Sequence, residues 1–225
     1  MEIRELHLVT SNLALQRDFY IHALSLTASI ATPERLTVQI GTSQLTFTQA
    51  ALDAPQRYHF AINVPQQQFA DAKAWIARRV ALLTDHTGAD EFYFEAWNAH
   101  ALYFADPAGN IVELIARHTL ASQSPPPFTA QSLLCVSEIG LATDNVLATV
   151  DLLCTRLGVS RYQGAGSDDF TAVGDESGLF IVVKRGRIWF PDTNKPAEMA
   201  PASVEIATGS TRASVAGPPY QVMLL

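Results

Sequence analysis

Two histidines and one glutamate hold matching places in a pattern that recurs along this 225-residue chain. The first copy opens with LHLVTSN (Leu6 to Asn12). The second opens with YHFAINV (Tyr58 to Val64) and closes with YFADPAGNIVEL (Tyr103 to Leu114). The third opens with EIGLATDN (Glu138 to Asn145) and closes with DESGLFIVV (Asp175 to Val183). His7 and His59 fall in equivalent opening strands and Glu113 in a closing strand. In the third copy Gly140 and Val182 stand at the histidine and glutamate positions. Two imidazoles and one carboxylate on three separate strands form a ligand set that leaves positions open on a divalent ion.

Strand alternation says which neighbours would share the site. Over 57–64, Arg57, His59, Ala61 and Asn63 lie on one face. Over 110–117, Ile111, Glu113, Ile115 and Arg117 do, and on the first strand Ile3, Glu5, His7 and Val9. If these faces line one concave sheet, His7, His59 and Glu113 converge. A strand histidine alone is more often structural than a ligand. Glu113 within IVELI shifts that balance, because an ionised carboxylate among apolar neighbours is costly unless it is solvated, paired or bound to a cation. Arg57 and Arg117 are the alternative partners. An open-sided ion would polarise adjacent substrate oxygens.

The elements that must position these groups repeat in order. Residues 3–10 read as a strand, with Ser11 or Asn12 capping a helix whose stripe is Leu13, Arg17, Tyr20 and Leu24; strands follow at 26–32, 35–41 and 44–49. The second copy gives a strand at 57–64, a helix at 66–80 and strands near 81–84, 91–96, 100–105 and 110–117. The third gives a helix at 145–157 stopped by Gly158, then strands near 160–164, 169–174 and 178–184. Two further strands fit 202–208 and 220–225, with Pro- and Gly-rich connections at 191–201 and 209–219. The expected organisation is a two-module metal-binding domain (1–118), a Pro-rich linker (119–131), and a degenerate third module with C-terminal strands (132–225).

This order and these end-motifs resemble the vicinal oxygen chelate superfamily, which includes glyoxalase I, bleomycin and fosfomycin resistance proteins, and extradiol dioxygenases. The resemblance is strongest over residues 1–118. It implies an α+β fold in which paired βαβββ modules form a curved mixed sheet around a cavity, here with a third incomplete module. It also implies one divalent ion, Fe(II), Mn(II) or Zn(II), on His7, His59 and Glu113. LYFADPAGNIVE (Leu102 to Glu113) matches the end of an extradiol dioxygenase signature, which implies a proton-donor role for Tyr103. Ring cleavage ranks first among reactions, glyoxalase-like chemistry second. The alternative is a non-catalytic protein of antibiotic-binding type, using an aromatic cavity built around Phe92, Phe94, Trp97 and Tyr103.

The net charge of −7 and the lack of a basic stripe argue against nucleic acid as a partner. The N-terminus lacks a basic-then-apolar signal and no apolar run reaches membrane-spanning length, so a cytoplasmic protein acting on a small molecule is expected. Cys135 and Cys154 read as buried structural thiols. A lone third module would expose an apolar face and a sheet edge, which leads to the expectation of a homodimer.

Overall fold

A computed structural model describes residues 1–51, 56–122, 124–164 and 166–225. Two seven-stranded mixed sheets carry the chain. The first copy supplies β1 (Glu2–Thr10), helix α1 (Leu13–Arg17), β2 (Ala28–Ala31), β3 (Arg35–Ile40) and β4 (Ser43–Gln49). The second supplies β5 (His59–Asn63), α2 (Phe69–Ala77), β6 (Phe92–Phe94), β7 (Ala99–Ala105) and β8 (Ile111–Arg117). The third supplies β9 (Cys135–Thr143), α3 (Val146–Leu157), β10 (Phe170–Asp175) and β11 (Gly178–Lys184). A meander of β12 (Ala202–Thr208), β13 (Thr211–Gly217) and β14 (Gln221–Leu224) ends it. The α+β class and the curved sheets of paired modules are those expected.

The partners are not the expected ones. One sheet runs β14-β13-β12-β1-β4-β3-β2, the other β10-β11-β9-β5-β8-β7-β6. The second module therefore pairs with the third, through antiparallel β5 and β9, while the first pairs with the C-terminal meander through β1 and β12. The sheets cut across the division at 1–118, 119–131 and 132–225. The third module also finds its partner within the chain, which removes the reason for expecting a second copy to cover it.

Local sequence explains the elements. Helix α3 buries Val146, Val150, Leu153 and Leu157 at helical spacing. Asn145 caps it by accepting from the Ala148 N–H at 3.0 Å, and Gly158 ends it at φ +66. Such a cap is worth about 1 kcal/mol, and each buried Leu or Val about 1.5–3 kcal/mol. After α1 the chain widens into a π-helical turn over Asp18–Ala23, where the Leu24 N–H reaches the Phe19 carbonyl at 2.8 Å. Leu82 makes only an isolated bridge to Phe104, and Arg161 one to Val173, where full strands are expected at 81–84 and 160–164. Strand β13 lies in the segment read as a connection, because its inward residues, Ala213 and Val215, are small.

Alternation splits the second sheet between two apolar groups. Phe60, Ile62, Leu102, Phe104, Val112, Leu114, Phe180 and Val182 join Leu6, Leu8 and Phe47 of the first sheet in the main core. Ala61, Ala99, Ala101, Tyr103, Ile111, Ile115, Ile181 and Val183 line the opposite, concave face. The linker is only partly a spacer: Phe128 is buried, its ring 5.5 Å from Trp75 edge-on, and residue 123 lies outside the described residues. No helix among the described residues is long and apolar enough to cross a membrane.

Candidate metal centre

The DPAGN turn sets the register that positions the site. Buried Asp106 accepts from the Ala108 and Asn110 N–H groups (both 3.0 Å), Asn110 Nδ2 (2.8 Å), Gln16 Nε2 (2.8 Å) and the Tyr20 hydroxyl (3.0 Å). Gly109, at φ +82, takes a conformation that side chains disfavour. Asn110 Oδ1 then accepts from the Tyr58 N–H at 3.0 Å, tying β5 to the start of β8. With that register fixed, Tyr103 pairs with Glu113, Glu113 with Ala61, and Ala61 with Glu138. One row across four strands thus carries a phenol and two carboxylates, separated by the smallest side chain available that still has a Cβ.

His59 stands two residues before Ala61 on the same face. Its Nε2 lies 3.5 Å from Glu113 Oε2 and 4.0 Å from Glu138 Oε2. These three side chains each offer one ligand atom, all within 4.8 Å of one another, and all three are buried. Two ligand atoms bound to one ion at about 2.1 Å can stand no further apart than roughly 4.2 Å, so both His59 separations suit a shared ion. The Nδ1–H of His59 donates to the Ile111 carbonyl at 3.2 Å, which leaves Nε2 as the free donor atom.

The expected set is therefore only partly assembled. His59 and Glu113 are brought together. His7 lies on β1 of the other sheet, where its Nε2 bonds the Thr48 hydroxyl at 2.6 Å. It lines a separate cavity with Val9, Pro201 and Ser203. Glu138, from the third module, completes the cluster. The signal for Glu138 was present: like Glu113, it is a carboxylate among apolar residues of a strand, in VSEIGLA. It lies two residues before Gly140 and so on the same face.

Burial governs the electrostatics. It pushes Glu113 well above the usual carboxylate range, and the charge of nearby Glu138 adds to this, while Arg117 and a hydrogen bond from Tyr103 oppose it. Burial also raises Glu138, but the Arg117 guanidinium bonds it directly and pulls it back. The Tyr103 hydroxyl is raised well above its ordinary value by burial and by both carboxylates, so it stays a phenol. His59 falls to about 4, chiefly through burial, so its ring is neutral near pH 7. Arg117 offsets one of the two crowded carboxylates, and a divalent ion would favour the ionised form of the other beside a neutral imidazole. The donor set fits such an ion.

Above these groups is a cavity of about 280 Å³ walled by Phe94, Trp97, Phe170, Ile181, Trp189 and Phe190. The last two come from the segment between β11 and β12, just ahead of the Pro-rich connection at 191–201. Trp189 lies 4.9 Å from the His59 ring, and Phe190 packs edge-on to Phe92 at 4.6 Å and Tyr103 at 5.4 Å. Gly140 makes the room: a Cβ there would come 2.6 Å from Trp189 Cη2.

No protein-family model matches the sequence, and no curated protein does. Solved structures do match. A Bacillus subtilis protein provisionally named a dioxygenase aligns over 96% of this chain and 81% of its own, at 14% identity and a TM-score of 0.61. A lactoylglutathione lyase from Agrobacterium tumefaciens covers 51% of this chain and 92% of its own, at 19% identity and a TM-score of 0.41. A glyoxalase/bleomycin resistance protein/dioxygenase from Nocardioides covers 57% and 89%, at 20% identity and 0.42. The near full-length likeness to the first of these shows that this chain shares its fold, with modules paired into two curved mixed sheets.

Proposed function

We propose that this chain is a metal-dependent enzyme of vicinal oxygen chelate type acting on a small, oxygen-rich substrate, with dioxygenase-like or glyoxalase-like chemistry. The carrying observation is the convergence of His59, Glu113 and Glu138 at the floor of an aromatic cavity. These three residues would hold one divalent ion, and the ion would supply Lewis acidity toward substrate oxygens. Exchanging one expected imidazole for a carboxylate moves the set toward oxygen-preferring ions, so Mn(II) ranks above Fe(II) and Zn(II).

The remaining roles belong to the chain itself. The Ile111 carbonyl fixes the His59 tautomer. Arg117 holds Glu138 in place. Tyr103, kept protonated, offers a hydrogen bond or a proton at its hydroxyl beside Glu113. The aromatic wall excludes water and selects a flat ligand. Elemental analysis of protein prepared without chelator and then loaded with Mn(II), Fe(II) or Zn(II) tests this reading. One ion per chain, lost in His59→Ala with the circular dichroism spectrum unchanged, supports it; wild-type protein that takes up none of the three rejects it.

A second reading, a non-catalytic small-molecule binder, draws on the fact that each carboxylate already has a protein partner, Tyr103 or Arg117. Ligand affinity indifferent to chelator would favour it.

A further inference from the structure

Arg187 is the only lysine or arginine among the residues lining the cavity. Its side chain is one-third exposed, at 33%, so it sits between the interior and solvent. Nε donates to Asp169 at 2.9 Å, and Nη1 approaches the Ile188 carbonyl at 3.4 Å. The guanidinium carbon lies 5.2 Å from the centre of the Phe170 ring, another wall residue. A guanidinium has five N–H donors in a fixed fork. Among the described residues Nη2 has no partner, while the planar group is held in place from two sides. Asp169 is mostly exposed, so this ion pair is weak and its partner easily shared.

We propose that Arg187 anchors an anionic substituent, so that the cavity takes a small aromatic acid with its ring against the Phe94–Trp97–Phe170 wall and its opposite end toward His59, Glu113 and Glu138. The buried glutamates do not make the site a cation trap. A hydrogen bond from Tyr103 engages Glu113, and the Arg117 guanidinium engages and offsets Glu138. Volume agrees: about 280 Å³ lies just below the usual range for drug-sized ligands and suits a substituted single ring. This rests on the proposed enzyme reading only for what the far end of the ligand meets.

Benzoate and benzamide test it, since they share shape and differ in charge. Binding is followed by calorimetry and by fluorescence of the cavity residues Trp97 and Trp189, in Mn(II)-loaded and in chelator-treated protein. Benzoate should bind roughly tenfold tighter than benzamide, the worth of a partly exposed charge-assisted pair. Arg187→Gln should remove that preference by weakening benzoate alone, and Arg187→Lys should restore part of it. Equal binding of the two probes, an equal loss of both in Arg187→Gln, or no binding of either overturns the proposal. So does a preference that survives Arg187→Gln but vanishes on chelation, because the ion would then be the anchor. Protein that takes up no metal yet keeps an Arg187-dependent preference supports the proposal while rejecting the enzyme reading.

Discussion

The guanidinium of Arg117 donates to Glu138 inside the concave sheet, with the arginine side chain wholly buried. The two residues come from β8 and β9, strands that flank β5 without touching each other in the sheet order. Arg117 also lies 5.4 Å from the Trp97 ring, face-on, and its Nε and Nη1 make no further hydrogen bond within the described residues. The pair bridges two modules and ties the floor of the cavity together.

Removing one member leaves the other charge buried and alone. Arg117→Met should destabilise the metal-free protein by about 3 kcal/mol, or roughly 6–12 °C in Tm. Arg117→Met combined with Glu138→Leu should regain most of that loss, since apolar replacement of both partners is often neutral. Thermal unfolding of the three proteins checks this; a single variant that loses less than about 1 kcal/mol contradicts it.

Glu138 and His7, rivals for the third place in the set, can be told apart by metal uptake. Glu138→Gln should weaken binding at least about tenfold, the low end for disturbing a metal site, whereas His7→Ala should leave stoichiometry and affinity unchanged. Competition against a chromogenic chelator reads both. Loss of metal in His7→Ala with Glu138→Gln unaffected would reverse the assignment.

Acid–base behaviour should reveal two opposed groups. The folded pKa of His59, about 4, lies below its unfolded 6.5, so its contribution to stability is complete above 6.5 and is lost as pH falls toward 4. That loss amounts to about 3 kcal/mol at most. Glu113 has the opposite sign: its folded pKa lies above 4.5, so its contribution is present at low pH and is lost as pH rises through the folded value. Between about pH 4.5 and 6.5 the slopes oppose, and metal-free wild type should vary little. Glu113→Gln should unmask stability that falls toward acid, and His59→Gln stability that falls toward alkali. Urea titrations at several pH values measure these slopes; parallel slopes in both variants would refute the assignment. At pH 8 metal-free Glu113→Gln should be more stable than wild type yet fail to gain stability from Mn(II).

Space in the floor is set by two small residues. Ala61→Leu should fill the gap between Glu113 and Glu138 and abolish metal uptake. Gly140→Ala should push Trp189 off His59, at a cost of about 1–3 kcal/mol from overpacking, and shift tryptophan emission to longer wavelength. Unchanged emission with unchanged stability would show that Trp189 accommodates the methyl group.

The repeats, the strand alternation and the DPAGN turn were legible in sequence because each is local or periodic. The shared placement of His59, Glu113 and Tyr103 on one face follows from them. Which module pairs with which was not legible, since every βαβββ unit presents a similar first strand and the choice between β1 and β9 as partner for β5 is made by contacts distant along the chain. That choice puts His7 in the other sheet, away from His59 and Glu113. Glu138 was less legible because the repeat aligns Gly140, not Glu138, with the histidines, although both share one face. Trp189 and Phe190 carry no sequence signal of their wall role, because they follow the last periodic strand and stand just before an irregular Pro-containing stretch.

The first sheet is built from both ends of the described chain, and the strands bearing the donor groups lie between them like text within brackets. Loosening of β1 or of the β12–β14 meander would bare the apolar backing behind Phe60, Leu102 and Val112 while every donor still sat on an intact strand. Endurance of the cavity floor is thereby delegated to residues that never approach it, and a substitution at Leu6 or Val204 would loosen that floor from the far side of the molecule.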